Sequence, residues 1–158
     1  MLYTNKPLRI IDIVEGTSVD GPGLRTAIYL AGCRHACPGC HNPQTWDFAA
    51  GRDMSVDELM DVIRRADFDV TLTGGDPMYQ AEALVPLAHA IKAAGYGLWC
   101  YTGFTLEQLD AVPGAQALMG YIDTLVDGPY VAALRDTSLC FRGSSNQRII
   151  DLHAPKQK

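Results

Sequence analysis

Gly32-Cys33-Arg34-His35-Ala36-Cys37-Pro38-Gly39-Cys40-His41-Asn42 places three of the chain's five cysteines within eight residues, at the spacing C-x3-C-x2-C. Thiolates are soft ligands that select iron–sulfur clusters, zinc or Cu(I). A closed structural zinc site takes four protein ligands, whereas three leave one position open to bind something else. Two readings follow from the spacing. One is an iron–sulfur cluster; the other is a zinc knuckle completed by His35 or His41. Gly32 and Gly39 permit close backbone approach, Pro38 stiffens the turn, and successive N–H groups can face anionic sulfides.

The loop follows Arg25 to Ala31, an apolar run that reads as a strand and delivers the chain into the cysteines. Ligands at the carboxyl end of a strand fit the placement of sites in α/β folds. Working outward, Leu8 to Val14 is a further β-branched strand, followed by turn punctuation at Asp20-Gly21-Pro22-Gly23. Beyond the loop, Trp46 and Phe48 are expected to pack beneath it and exclude water, and the run to Asp53 reads as irregular. Ser55-Val56-Asp57-Glu58 is a capping box opening a helix with Val56, Leu59, Met60 and Ile63 on one face, ending near Ala66. Phe68 to Thr73 is a strand running into Gly74-Gly75-Asp76-Pro77. Pro86 suits the first turn of the next helix, which Gly95 stops. Gly97 to Thr102 and Tyr121 to Val126 are strands, with a capping box at Thr105-Leu106-Glu107-Gln108 between them and a helical turn at Tyr130 to Leu134 after them. Arg148 to Asp151 is a last short strand. Cys100 and Cys140, each beside apolar or aromatic residues, read as buried and inert, and His89 as a packed or exposed helix residue.

The alternation of strands and helices predicts an α/β fold with a mainly parallel sheet. At 158 residues the chain is too short for a complete eight-fold barrel, so a partial, open (β/α) barrel in a single domain over residues 1–158 is expected. Hydrophobic residues are 47% and charged residues 20%, a globular composition. Net charge is −5 and the 13 basic residues are scattered, which argues against nucleic acid or an anionic membrane as partner. No apolar run is long enough to span a bilayer, and Met1 to Arg9 lacks an apolar signal core, so a cytoplasmic location is expected. In that reducing compartment five cysteines argue for ligation rather than disulfides.

The cysteine spacing resembles the cluster loop of the radical S-adenosylmethionine (SAM) enzymes. Four segments narrow the resemblance: Val19-Asp20-Gly21-Pro22-Gly23-Leu24-Arg25, Cys37-Pro38-Gly39-Cys40-His41-Asn42, Leu72-Thr73-Gly74-Gly75-Asp76-Pro77, and Arg142-Gly143-Ser144-Ser145-Asn146-Gln147-Arg148. In this order and at this length they resemble the anaerobic ribonucleoside-triphosphate reductase-activating proteins. Pyruvate formate-lyase activators share the triplet and the Gly-Gly-x-Pro turn, but are longer and commonly carry Glu where Asp76 stands. The reductase activators often have Tyr where this chain has His41.

The resemblance implies a partial barrel of the radical SAM type, a 4Fe-4S cluster on Cys33, Cys37 and Cys40, and SAM at the fourth iron. It implies reductive cleavage of SAM and hydrogen abstraction from a glycine of the reductase's glycyl-radical subunit, with an electron donor such as flavodoxin or ferredoxin. Gly39, Cys40 and His41 would lie against the adenosyl part. Gly74, Gly75 and Asp76 would meet the amino end, Asp76 through its carboxylate unless that caps the turn. Asn42 and Trp46 are candidates to tune the cluster. Arg25, Arg142 and Gly143 to Gln147 either hold strands together or contact SAM or the partner's glycine loop. The rival activities are a pyruvate formate-lyase-type activase and a small radical SAM enzyme acting on a free metabolite, such as a deazapurine synthase. The rival that is not an enzyme is a zinc-stabilised binding module.

Overall fold

The computed structural model describes residues 6–35, 37–40 and 43–153. Among them a seven-stranded sheet runs in the order β3-β1-β2-β4-β5-β6-β7. β1 (Leu8–Thr17) and β2 (Arg25–Leu30) form an antiparallel pair, and β3 (Arg52–Met54) adds antiparallel to β1. β2, β4 (Asp69–Gly74), β5 (Leu98–Tyr101) and β6 (Thr124–Asp127) are mutually parallel. β7 (Arg148–Asp151) closes the order antiparallel to β6. This is the open, mainly parallel α/β architecture expected from the strand and helix order, with antiparallel strands at both margins. The sequence expectation of an irregular run to Asp53 is corrected, since Arg52–Met54 finds a partner in β1.

Three helices complete the fold: α1 (Val56–Ala66), α2 (Ala81–Ala93) and α3 (Ala115–Met119). The Ser55 side chain accepts from Glu58 N–H and the Glu58 side chain accepts from Ser55 N–H, so the capping box forms as read. α2 departs from the expectation. It starts at Ala81, directly after a 3-10 turn over Pro77–Gln80, so Pro86 lies inside the helix. Proline there lacks the N–H that would reach back to residue 82, and the helix continues past one missing bond. The α3 helix was not expected from the sequence, and the strand after it begins at Thr124 rather than Tyr121.

Period-2 alternation divides the sheet into two unlike faces. Ile28, Leu30, Val70, Leu72, Leu98, Cys100 and Leu125 share one buried core with Leu59, Ile63, Leu84, Leu87 and Ile91 of the helices. The alternate residues are Arg25, Ala27, Tyr29, Thr71, Thr73, Trp99 and Tyr101, and they look the other way. That second face is polar and aromatic, as a surface meant to meet a ligand would be. The four parallel strands also end on one edge. Their carboxyl ends lead into the cysteine loop, Gly74–Pro77, Thr102–Phe104 and Asp127–Tyr130 respectively. No helix among the described residues is long and apolar enough to cross a membrane.

Candidate functional site

The cysteine loop is held by its own backbone and by its neighbours. Gly32 N–H donates to Thr45 O (2.7 Å) and Cys33 N–H to Trp46 O (3.2 Å). Cys40 N–H donates to Cys37 O (3.0 Å), closing a four-residue turn with Pro38 second and Gly39 third. Gly39 has φ +76°, which that turn position requires and a side chain disfavours. Gly32, at φ +101°, leaves a space filled by the Phe48 ring. Phe48 packs on Gly32 but is exposed, with Arg34 4.9 Å from its centroid, and Trp46 is only half-buried, so the water-excluding wall expected from the sequence is corrected to a partial one.

The thiols of Cys33, Cys37 and Cys40 are all half-buried. Burial pushes the Cys33 thiol up to about 11; the charges of Asp76, Cys37 and Cys40 add to the rise, and a backbone hydrogen bond at His35 opposes it. Cys37 and Cys40 are thus close enough to Cys33 for their charges to act on it. A bound cation reverses this penalty, because a coordinating thiol gives up its proton to the metal. No three His, Cys, Asp or Glu side chains among the described residues converge to hold a single metal ion. His35, a candidate fourth zinc ligand, has its Nε2 2.6 Å from Asp76 Oδ2. Three soft thiolates with one position left open are a donor set that fits an iron–sulfur cluster. His41 and Asn42 lie outside the described residues.

Gly74, Gly75 and Asp76 come to the same edge, but for reasons the sequence did not show. Gly74 has φ +107°, and a Cβ there would strike the backbone of Leu30. A Cβ on Gly75 would lie 2.5 Å from Gly32 O and 2.8 Å from Thr45 O. These glycines are needed so that the turn can press against the cysteine loop. Gly75 N–H donates to Leu30 O and Asp76 N–H to Gly32 O, both at 2.8 Å. The Asp76 side chain is fully buried. Its oxygens accept from Met78 N–H (3.0 Å), Thr102 Oγ1–H (2.9 Å), Gly103 N–H (2.9 Å) and His35 Nε2–H (2.6 Å). The carboxylate caps the turn that follows it, through Met78 N–H.

Beneath the loop, on the polar face of the sheet, lies a cavity of about 580 Å³. Cys40, Asp20, Thr73, Tyr101, Tyr130 and Arg142 are among its walls. Burial raises the Asp20 carboxyl, a rise partly offset by the hydrogen bond from Tyr29 Oη at 3.0 Å. Burial also pushes the Tyr29 phenol up to about 12 and Tyr101 higher still; Tyr101 lines the cavity, and Tyr29 touches it through its bond to Asp20. The sequence reading assigned no role to Tyr29, Tyr101 or Tyr130; strand alternation, which puts Tyr29 and Tyr101 opposite the apolar core, was the available signal. A larger cavity of about 880 Å³, beside Tyr79, Phe104 and Val112, lies away from the thiols.

Arg25 is structural. It is buried, donates to Thr71 Oγ1 (2.8 Å), Val70 O (2.9 Å) and Pro22 O (3.2 Å), and sits 5.7 Å from the Trp99 ring centroid. Gly143 to Gln147 is chiefly a knot: Gln147 Oε1 accepts from Gly143 and Ser144 N–H while its Nε2 donates to Gly128 O. Arg142 donates to Gln147 O and also reaches the cavity. Cys100 is buried as expected, on the helix-facing side and so turned away from the cavity. Cys140 corrects the expectation: it is exposed, at the cavity rim.

Residues 19–150 match the family described as the 4Fe-4S single cluster domain. Over 143 residues the chain is 36% identical to the anaerobic ribonucleoside-triphosphate reductase-activating protein of Haemophilus influenzae, covering 83% of this chain and 90% of that protein. The protein of that name from Vibrio cholerae is 38% identical with the same coverage, and the one from Escherichia coli K12 is 37% identical over 141 residues, 82% and 89% of the two chains. Among solved structures, QueE from Escherichia coli superposes with a TM-score of 0.53 at 23% identity. That likeness covers 62% of this chain and 53% of that one, and it concerns the fold.

Proposed function

We infer, for a chain that belongs to the family of anaerobic ribonucleoside-triphosphate reductase-activating proteins, that it activates such a reductase with a 4Fe-4S cluster and SAM. One observation carries the reading: three half-buried thiols stand in the loop that leaves the carboxyl end of β2, at one edge of four parallel strands. When bound, the cluster and SAM supply the one-electron chemistry that removes a hydrogen atom from a glycine of the reductase.

The chain's own residues bind, orient and shield. Cys33, Cys37 and Cys40 would hold the cluster as thiolates, three protein ligands for four irons. The main chain at Gly39 and Cys40 would lie against the adenosyl part. Gly74 and Gly75 meet the ammonium of SAM through backbone carbonyls. Asp76 attracts that ammonium from beneath the turn, by its charge alone, because its oxygens are already engaged. Tyr101 and Tyr130, beside Asp20 and Arg142, line the cavity next to Cys40. The cavity beside Cys40 receives an extended glycine-bearing segment of the reductase. The electron donor is a low-potential protein such as flavodoxin or ferredoxin, met in the cytoplasm.

Anaerobic reconstitution with iron and sulfide, followed by dithionite and SAM, tests the reading. The wild type should release 5′-deoxyadenosine and, with the reductase present, produce a glycyl-radical EPR signal. Cys37→Ala should lose the cluster and both products, while Cys100→Ala keeps them. A fully loaded wild type that yields no 5′-deoxyadenosine would refute the assignment.

A further inference from the structure

We propose that His35 is a positioning residue: its Nε2–H bond to Asp76 sets the separation between the cysteine loop and the Gly74–Asp76 turn that SAM binding needs. The inference rests on the functional reading above and deepens it. Asp76 is a hub. Its carboxylate, fully buried, takes hydrogen bonds from Met78 in the turn that follows it, from Thr102 and Gly103 at the end of β5, and from His35. Of these donors only His35 stands on the cysteine loop, between Cys33 and Cys37. That bond is the shortest of the set at 2.6 Å.

The surroundings are shaped for this ring. The Phe104 ring meets it edge-on at 4.6 Å and the Tyr79 ring lies 5.6 Å away. Gly103 has no side chain where a Cβ would come within 2.5 Å of His35 Cδ2. The imidazole is only 15% exposed although its loop is at the surface. The loop has other anchors, at Gly32, Cys33 and the Cys37–Cys40 turn, that do not involve His35. Loss of the imidazole donor therefore leaves the thiols in place. It frees the middle of the loop to move relative to the glycine turn, and SAM must touch both.

Three variants separate this from packing. His35→Phe keeps a ring between Tyr79 and Phe104 but has no donor. His35→Gln places an amide N–H where Nε2–H stood. Thr102→Val removes a donor from the same carboxylate without touching the cysteine loop. Each is reconstituted anaerobically, checked by thermal unfolding, assayed for iron and sulfide, and titrated with SAM by the EPR spectrum of the reduced cluster. His35→Phe should load iron as the wild type does yet bind SAM about tenfold more weakly, the loss of one charge-assisted hydrogen bond. His35→Gln and Thr102→Val should stay within about threefold of wild type. Wild-type SAM affinity in His35→Phe overturns the proposal. Equal weakening in His35→Gln, or in Thr102→Val, also overturns it, because the ring or the carboxylate's general satisfaction would then be what matters. So does failure of His35→Phe to fold or hold iron, since His35 would then serve loading. A wild type that loads no cluster or ignores SAM contradicts the functional reading instead.

Discussion

Cys33 shows how one residue carries two opposed demands. The thiol is half-buried and, without metal, held at about 11 by burial first and by the nearby charges second. As a ligand it must be a thiolate. A raised value in the folded chain, against an ordinary thiol near 9, means that both states are protonated below about 9. Apo-protein stability is then undiminished up to that pH and falls between about 9 and 11, as the unfolded chain loses its proton first. Only thiolate reacts with alkylating agents. Cys33 of the metal-free protein should therefore react at pH 8 about a hundredfold more slowly than an unstructured cysteine, and accelerate about tenfold per pH unit toward 11. Peptide mapping after timed iodoacetamide treatment measures this, and a rate that levels off below pH 9 contradicts it. The spacing in sequence singled out Cys33, Cys37 and Cys40 as the candidate ligands. It did not reveal that Cys140 is exposed, because apolar neighbours in sequence say nothing of how a loop lies across a cavity rim.

The elements that matter most are loops pressed against one another, and their fit depends on absent side chains. The Gly74–Gly75 turn was legible as a tight turn after a strand. Its reason was not, since Gly32 O and Thr45 O, the atoms that exclude a Cβ on Gly75, come from the segment on either side of the cysteines. Gly75→Ala should cost about 1–3 kcal/mol, the usual penalty of overpacking, and lower the thermal midpoint by several degrees. Cluster content should fall with it, because the displaced atom is the carbonyl of Gly32, next to Cys33. An unchanged midpoint with full iron would show that the turn is looser than described. Helix signals behaved unevenly for a similar reason. The capping box at Ser55 is a local hydrogen-bond pattern and was read correctly. Pro86 was misplaced because the 3-10 turn at Pro77–Gln80 launches α2 earlier, and burial of Leu84 and Val85 holds the helix through the proline.

At the scale of the whole molecule, the parallel order of β2, β4, β5 and β6 was legible because each strand is apolar and each crossover is helical. The division of the sheet into an apolar face and a face bearing Arg25, Tyr29, Thr71 and Tyr101 was also written in the period-2 pattern. The hub at Asp76 was not, because it joins residues 41 and 26 positions away in sequence. The architecture gathers four strand ends around three thiols and opens a cavity beneath them. The central claim is that these thiols hold a four-iron cluster with one iron left for SAM. Mössbauer spectroscopy of protein reconstituted with iron-57 tests it most directly. About four irons per chain are expected, with one changing its isomer shift when SAM is added and the other three unmoved. Four irons indifferent to SAM, or one zinc ion per chain in place of iron, would contradict it.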